Sequence, residues 1–525
     1  MAGSRRFFVT ATPPTTNGDL HAGHLAGPYL NADVFCRAQR QRGHTTLYVS
    51  SGDDNQSYVV TTAQRLKMNP TTLAAECNEQ IRETLKLADI DMDAFTTPDE
   101  EHERVVREFF RDLYERGKLR RRAYNFPYSQ EAGRFLLEAF ATGYCPECLA
   151  STAGAICEAC GHPNDVGSLL YPQATDSGER ALSETQRVET LVLPLESYRR
   201  QIVNFYEQRR CTMRPHVLRF VEEMLAAPLP DFPITYPDTW GIAPKIGGLS
   251  GQVINVWAEM LPGLFSTADY AQRNRSAGEE RRVESPASGY ELVQFLGYDN
   301  TFYFAFVHLC LAFAKGDVVT PTAIITNEFY HLDGSKFSTS RRHLIWARDL
   351  VRRYGSDNVR FYLALDNPEH QTTNFTEAAF VDCVHRKLHT PLLAIAQALE
   401  PFADERLELG GGDADVLARF DSRIARAYEL ETFSIRQGAE TIVNLLALLA
   451  ELASRLRSGG GAELSVVMSG LRRLAREIWP LTPRLGAELC AALELGDPAA
   501  GIADRREAVA VVVPRLAPSC MLQAL

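Results

Sequence analysis

Asn17-Gly18-Asp19-Leu20-His21-Ala22-Gly23-His24 decides how the rest of the chain is read. Before it, Arg5 to Thr12 is rich in Phe, Val and Thr and stops at Pro13-Pro14. That is the pattern of a buried strand ending in a turn. After it, His24 to Arg42 carries Leu25, Tyr29, Leu30, Val34 and Phe35 toward one side. Arg37, Arg40 and Arg42 lie near its end, and Gly43 follows. This predicts a helix whose basic end suits the dipole and whose glycine stops it. Thr45 to Ser51 reads as a second strand. The chain therefore opens as strand, helix, strand, with a glycine-containing turn where ligands bind in open α/β sheets.

The octapeptide has its own chemistry. Two histidines three apart at a helix start point the same way. Gly23 has no side chain, so a flat base or a phosphate can approach the backbone. A helix N-terminus favours anionic phosphate. Imidazole N–H groups can donate to phosphate oxygens as charge develops in a transition state. Taken alone, a helix cap with two solvated histidines would look the same.

Composition narrows the classes. The chain has 525 residues, 45% hydrophobic and 23% charged, the range of a soluble globular protein of three or four units. A net charge of −11 excludes a uniformly basic nucleic-acid coat protein, though not a local basic patch. Phe7 to Val9 is too short an apolar stretch for a secretory signal. No run of about 18 apolar residues is present, so no membrane span is expected. A cytoplasmic enzyme is the expectation.

Seven of the eleven cysteines are scattered singly. The other four, Cys145, Cys148, Cys157 and Cys160, form two CxxC pairs. Two such pairs at this distance can close a tetrahedral site around Zn²⁺; idle or redox pairs are the alternative. A four-cysteine site leaves no position for water, so a structural role is expected.

Residues 118–235 break the α/β pattern and read as an insertion. Alternation returns at Gln252 to Trp257, and Ala323 to Thr326 is a further strand candidate. Asp333-Gly334-Ser335-Lys336-Phe337-Ser338-Thr339-Ser340-Arg341 presents a lysine among hydroxyls after a glycine turn. A mobile cation can close on a triphosphate during reaction only; an ordinary polar loop is the other reading. From Ile442 onward, Leu445, Leu446, Leu449, Leu452 and Leu456 keep the period of one helix face. Gly410 to Gly412 and Gly459 to Gly461 read as loops of a helical tail.

Together these motifs resemble class I aminoacyl-tRNA synthetases, specifically the methionyl type. HAGH is similar to that class's HIGH signature, and KFSTS to KMSKS. Ser51-Gly52-Asp53-Asp54, the CPEC…CEACG knuckle, Trp240-Gly241-Ile242, Val256-Trp257 and Phe295-Leu296-Gly297-Tyr298-Asp299 resemble further blocks, over roughly residues 5 to 490. The resemblance implies a Rossmann-type parallel sheet split by a zinc-binding insertion and followed by an all-α bundle. It divides the chain into a first catalytic half (1–117), the insertion (118–235), a second catalytic half (236–325), a connector with the KFSTS loop (326–375) and an anticodon-binding-like helical domain (376–525). It further implies an ATP-dependent ligase forming an aminoacyl-adenylate, with Mg²⁺ as counter-ion and a structural Zn²⁺ on the four cysteines. By the same resemblance His21, His24 and Lys336 act on the phosphates. Gly23, Gly297, Asp299, Ser338 and Ser340 hold the nucleotide. Asp53 takes the α-ammonium, and Pro13, Thr15, Trp257 and Phe304 wall the side-chain pocket.

The departures bear on the substrate. Thr15 stands where the family has a tyrosine packed on methionine, Pro13 where it has an aliphatic residue, and Phe304 where it has a histidine. Losing one aromatic wall removes apolar burial worth about 1–3 kcal/mol. Tyr298 replaces a lysine, and Thr339 replaces the loop's second lysine. In the tail, Ala453-Ser454-Arg455-Leu456-Arg457 stands where the family has an Asn-x-Tyr turn, and no stacking tryptophan follows; Trp479 reads as core. The expectation is therefore an amino acid other than methionine. The acceptor is either tRNA or a small molecule in specialised metabolism, such as an N-hydroxylated amino acid, with the small molecule favoured. The competing readings are a working methionyl enzyme with divergent contacts and a non-catalytic protein that binds RNA or another protein.

Overall fold

The computed structural model describes residues 3–164, 168–175, 184–275, 282–336, 344–409, 414–456, 461–500 and 510–516. Five strands form the central sheet: β1 Arg6–Ala11, β2 Thr45–Ser51, β3 Ala94–Thr96, β4 Tyr290–Gly297 and β5 Pro321–Asn327. Their order is β5-β4-β1-β2-β3, all parallel. The strand order reverses beside β1, so the turn after β1 and the end of β4 open onto one crevice, the ligand position of such sheets. Both faces of the sheet are covered. Phe7 and Val9 belong to one apolar core and Phe8 to another, which is why β1 lacks alternation.

The helix after β1 is not regular. Ala22–His24 is α-helical, Leu25–Tyr29 makes a π turn, and Leu30–Gln41 continues as α-helix. Pro28 lies within the π turn and Gly27 has a non-helical ψ of −123°. Proline has no N–H for the ladder, and π turns of this kind occur at functional sites. A Cβ on Gly27 would come within 2.9 Å of the Asn327 side chain, so β5 closes tightly on this turn.

The insertion is antiparallel. Arg120–Ser129 pairs with Glu184–Pro194, which pairs with Asp231–Pro233. Between the long strands lies the knuckle. The four cysteine Sγ atoms lie within 4.8 Å of one another, with Cys145–Cys160 at 3.7 Å and Cys148–Cys157 at 3.6 Å. Tetrahedral Zn–S bonds of about 2.3 Å require S···S separations of about 3.8 Å. Both pairs also make the turns of a knuckle, with Leu149 N donating to Cys145 O and Gly161 N to Cys157 O. The four thiols fit Zn²⁺.

The alternation expected through Trp257 stops earlier. Gln252–Ile254 is a strand, and Val256–Arg275 is a helix. Asn255 Oδ1 accepts from Trp257 N at 3.1 Å and so starts that helix. Trp257 therefore sits on a first helical turn.

The tail is helical, with Ile435–Ser454 and Gly461–Glu477 among its elements. Ile442, Leu445, Leu446 and Leu449 are buried on one face. The core is continuous from Phe7 and Val9 of β1 to Leu449 and Leu489 of the tail. Arg360, with no exposed surface, pins the junction. Its Nη2 meets Asp33 Oδ2 at 2.6 Å, Nε donates to Leu481 O and Nη2 to Pro480 O. Burial raises the Asp33 carboxyl, but Arg37 and Arg360 outweigh it and hold the group below its usual value. Trp479 is buried beneath Arg37, whose guanidinium lies 5.1 Å from the indole centroid. Gly410 to Gly412, Gly459 and Gly460 lie outside the described residues. No helix among the described residues is long and apolar enough to cross a membrane.

Candidate active site

A cleft of about 360 Å³ opens at the carboxyl ends of β1, β2, β4 and β5. It brings together Pro13, Thr15, His21, Gly23, His24, Asp53, Trp257, Gly297 and Asp299. The first turn is tied across the sheet. Thr12 N donates to Phe295 O, Asp53 N donates to Pro14 O, and Thr15 bridges Asp53 in parallel. The carboxyl end of β2 thus fixes the loop after β1.

His21 and His24 cap each other. His21 Nδ1 accepts from His24 N at 3.2 Å, and His24 Nδ1 accepts from His21 N at 3.4 Å. Their rings stack at 3.7 Å and 14°. Since each Nδ1 accepts, the neutral rings carry their protons on Nε2. The cleft is thereby lined by two imidazoles whose donor atom is Nε2, the arrangement a phosphate requires.

Gly297 ends β4. A Cβ there would lie 2.6 Å from Asp299 Oδ1, so the glycine is needed for Asp299 to turn back on the strand end. Asn300 Nδ2 holds the same oxygen at 3.0 Å.

At the other end, Asp53 is buried and its carboxyl is pushed well above the usual range. Burial is the main cause, followed by the charges of Glu259, Glu138 and Asp54, while a hydrogen bond from Gln56 opposes them. Thr15 Oγ1 is 3.4 Å from Asp53 Oδ2. Behind it, Glu259 accepts from Asn55 Nδ2 and meets His102 Nε2 at 2.9 Å. Among the described residues no arginine, lysine or histidine pairs with Asp53. A buried carboxylate without a cation is poised for a ligand's ammonium.

Trp257 is fixed on three sides. It stacks on Tyr303 at 4.0 Å and 6°. Its Nε1 donates to Glu138 Oε1 at 2.9 Å, and its carbonyl accepts from His308 Nε2 at 2.7 Å. Phe304 lies elsewhere. It is fully buried, packs on His308 at 4.4 Å and is not among the residues lining the cleft. Tyr303, which opens the π turn Tyr303–His308, is the ring beside Trp257.

The lysine segment approaches from both flanks. Ser335–Lys336 pairs with Leu332 and His331. Beyond it, Ala22 N donates to Ile345 O, Ala347 N donates to Leu20 O, and His21 bridges Trp346. Phe337 to His343, with Ser338 and Ser340, lie outside the described residues.

Among the lining residues that sequence reading missed are Gln56 and Glu138. Gln56 follows Asp53 closely but matches no motif. Glu138 comes from the insertion, on a short 3-10 turn with a positive φ of 43°. It approaches because Gly154 leaves room: a Cβ there would meet the Glu138 backbone at 3.0–3.1 Å. No local pattern announces it.

Comparisons with known proteins agree with this arrangement. The family model described as tRNA synthetases class I (M) matches residues 7–397. A methionine–tRNA ligase from a Roseiflexus species is 32% identical over 394 residues, covering 73% of this chain and 66% of that protein. One from Picrophilus torridus is 30% identical, covering 73% of this chain and 56% of the relative. The aligned part thus spans under two thirds of these relatives' length. Mycobacterium tuberculosis methionyl-tRNA synthetase bound by methionyl-adenylate superposes with a TM-score of 0.76 at 18% identity, covering 98% of this chain and 99% of that one.

Proposed function

The chain belongs to the class I (M) tRNA synthetases, and from that premise we propose that it activates an amino acid as its aminoacyl-adenylate. The carrying observation is the cleft itself, which brings together the paired imidazoles, the Gly297–Asp299 turn and a buried Asp53 that no cation pairs among the described residues. In the reaction a carboxylate oxygen of the amino acid attacks the α-phosphorus of ATP. The acyl–oxygen–phosphorus bond forms, the bond to the bridging oxygen of the β-phosphate breaks, and pyrophosphate leaves with its electron pair. Such in-line transfer rests on positioning and charge stabilisation.

His21 and His24 donate from Nε2 to the phosphate oxygens as charge develops there. Asp53 fixes the α-ammonium and so aims the carboxylate. Gly297 and Asp299 hold the adenosine, with Mg²⁺ as the nucleotide's counter-ion. Lys336, on the segment clasped to the first motif through Ile345 to Ala347, closes over the leaving pyrophosphate. Zn²⁺ on Cys145, Cys148, Cys157 and Cys160 holds the insertion in shape.

The amino acid is one other than methionine, and the acyl group passes to a small-molecule acceptor in the cytoplasm. Thr15 and Pro13 at the cleft support the first point. The missing Asn-x-Tyr turn and the burial of Trp479 under Arg37 support the second. ATP–pyrophosphate exchange across the amino acids, followed by charging of total tRNA, tests both. Exchange with another amino acid and no charging is expected. Exchange with methionine together with tRNA charging would overturn the substrate and acceptor assignments.

A further inference from the structure

The cleft holds a second acidic position that adenylate formation as such does not use. Glu138 is buried, and among the described residues no arginine, lysine or histidine pairs with it. Its Oε1 accepts from Trp257 Nε1 at 2.9 Å and its Oε2 accepts from Ser57 Oγ at 3.3 Å. Each carboxylate oxygen retains a further lone pair. Glu138 lines the same cleft as Asp53 and raises its carboxyl through their mutual repulsion.

A second observation is independent of the acids. Gln56 lines the cleft and is 1% exposed, and among the described residues its Oε1 has no hydrogen-bond partner. Gln56 hydrogen-bonds Asp53, and a carboxylate accepts only, so Nε2 must face Asp53. The other end of the amide is then a buried acceptor without a donor, which native structures seldom leave unmatched.

We infer that Glu138 and the Gln56 carbonyl form a side-chain subsite for a diamino acid, with the α-ammonium on Asp53 and the second amino group on Glu138. This rests on the adenylation reading above. Two carboxylates and an amide oxygen offer only acceptors, so the complementary ligand brings donors and positive charge at two points. An apolar side chain such as methionine's would leave Glu138 facing a dry, uncompensated site. Burial already holds the Glu138 carboxyl up at about 7, a value a bound cation would bring down.

The test is ATP–pyrophosphate exchange by the full chain with 2,3-diaminopropionate, 2,4-diaminobutyrate, ornithine, lysine, methionine, norleucine and glutamate. One diamino acid is expected to exceed methionine and norleucine by about 100-fold in kcat/KM. Glu138→Gln keeps the volume and an oxygen for Trp257 but removes the charge. It is expected to raise KM for the preferred diamino acid by about 10- to 100-fold and to shift KM for norleucine far less, so that the ratio between the two substrates collapses. Glu138→Asp, which restores the charge, should recover part of the selectivity. A structural loss would lower both substrate classes together and would refute the subsite. Preference for methionine or norleucine in the unaltered chain would overturn it while leaving adenylation standing. Exchange with no amino acid at all would overturn adenylation and the subsite with it.

Discussion

Glu138→Gln should also change stability, in a way that depends on pH. The unfolded chain ionises this carboxyl near 4.5, whereas in the fold burial delays ionisation to about 7. Between those values the folded state holds one proton more than the unfolded state. Stability therefore falls as pH rises through the window, is untouched below it and is fully reduced above it. At about 1.4 kcal/mol per decade, the 4.5-to-7 interval corresponds to about 3 kcal/mol. Glutamine does not titrate. Its oxygen can still accept from Trp257 Nε1, and its amide can donate to Ser57 Oγ, which already accepts from Ala139 N at 3.1 Å. The Ser57 hydroxyl hydrogen must then turn away, a loss of about 1 kcal/mol. The variant should match or trail the original chain near pH 4.5 and exceed it by about 2 kcal/mol at pH 8. For 525 residues melting as one unit this is about 2 °C in Tm. Melting both proteins from pH 4.5 to 8 measures the difference, and titrations common to both cancel. A gap that stays constant with pH, or a variant less stable at pH 8, would refute the burial argument for Glu138.

Three further outcomes are expected. His24→Ala should lower kcat for exchange by about 100- to 1,000-fold with little change in KM for the amino acid, because its Nε2 donor acts where charge develops; an equal rise in KM would place it in ground-state binding. Cys148→Ser should abolish stoichiometric zinc by metal analysis, expose 118–235 to limited proteolysis and depress exchange, since Glu138, Gly154 and Ala155 reach the cleft from that insertion; full zinc retention would refute the four-thiol assignment. Arg360→Met should destabilise the chain by about 3 kcal/mol in urea unfolding, because the buried carbonyls of Leu481 and Pro480 would lose their donor and Asp33 would keep only Arg37 as a cationic partner.

The nucleotide end of the cleft was legible in the sequence because its determinants are local. A strand, a Pro-Pro stop, a glycine and two histidines at helical spacing are enough to place His21, Gly23 and His24 at the cleft. The single-face periodicity from Ile442 likewise places the tail helix. Strand β4 shows no period because both its faces are buried, and only its end was noticed through Phe295 to Asp299. The alternation after Gln252 misled because Asn255 starts a helix within it. Phe304 was expected at the cleft on an ungapped count from Asp299, whereas it is fully buried against His308 and the ring beside Trp257 is Tyr303. Glu138 and Gln56 could not be read at all. Glu138 is brought in by contacts across more than eighty positions, such as Ser57 Oγ to Glu138 Oε2, and by a left-handed backbone that no side-chain pattern encodes, while Gln56 stands out only through its burial and its place beside Asp53.

The Gly154–Glu138 contact has a consequence for how such a protein diverges. The side of the cleft formed by the HAGH turn and the Gly297–Asp299 strand end is written into the sheet and its turns, where a change disturbs the core on both faces. Glu138, Gly154 and Ala155, by contrast, reach the cleft from a separately braced insertion, held by its own antiparallel strands and the four-thiol knuckle. Editing that insertion can therefore reshape one wall of the cleft while the HAGH turn and the sheet beneath it stay as they are.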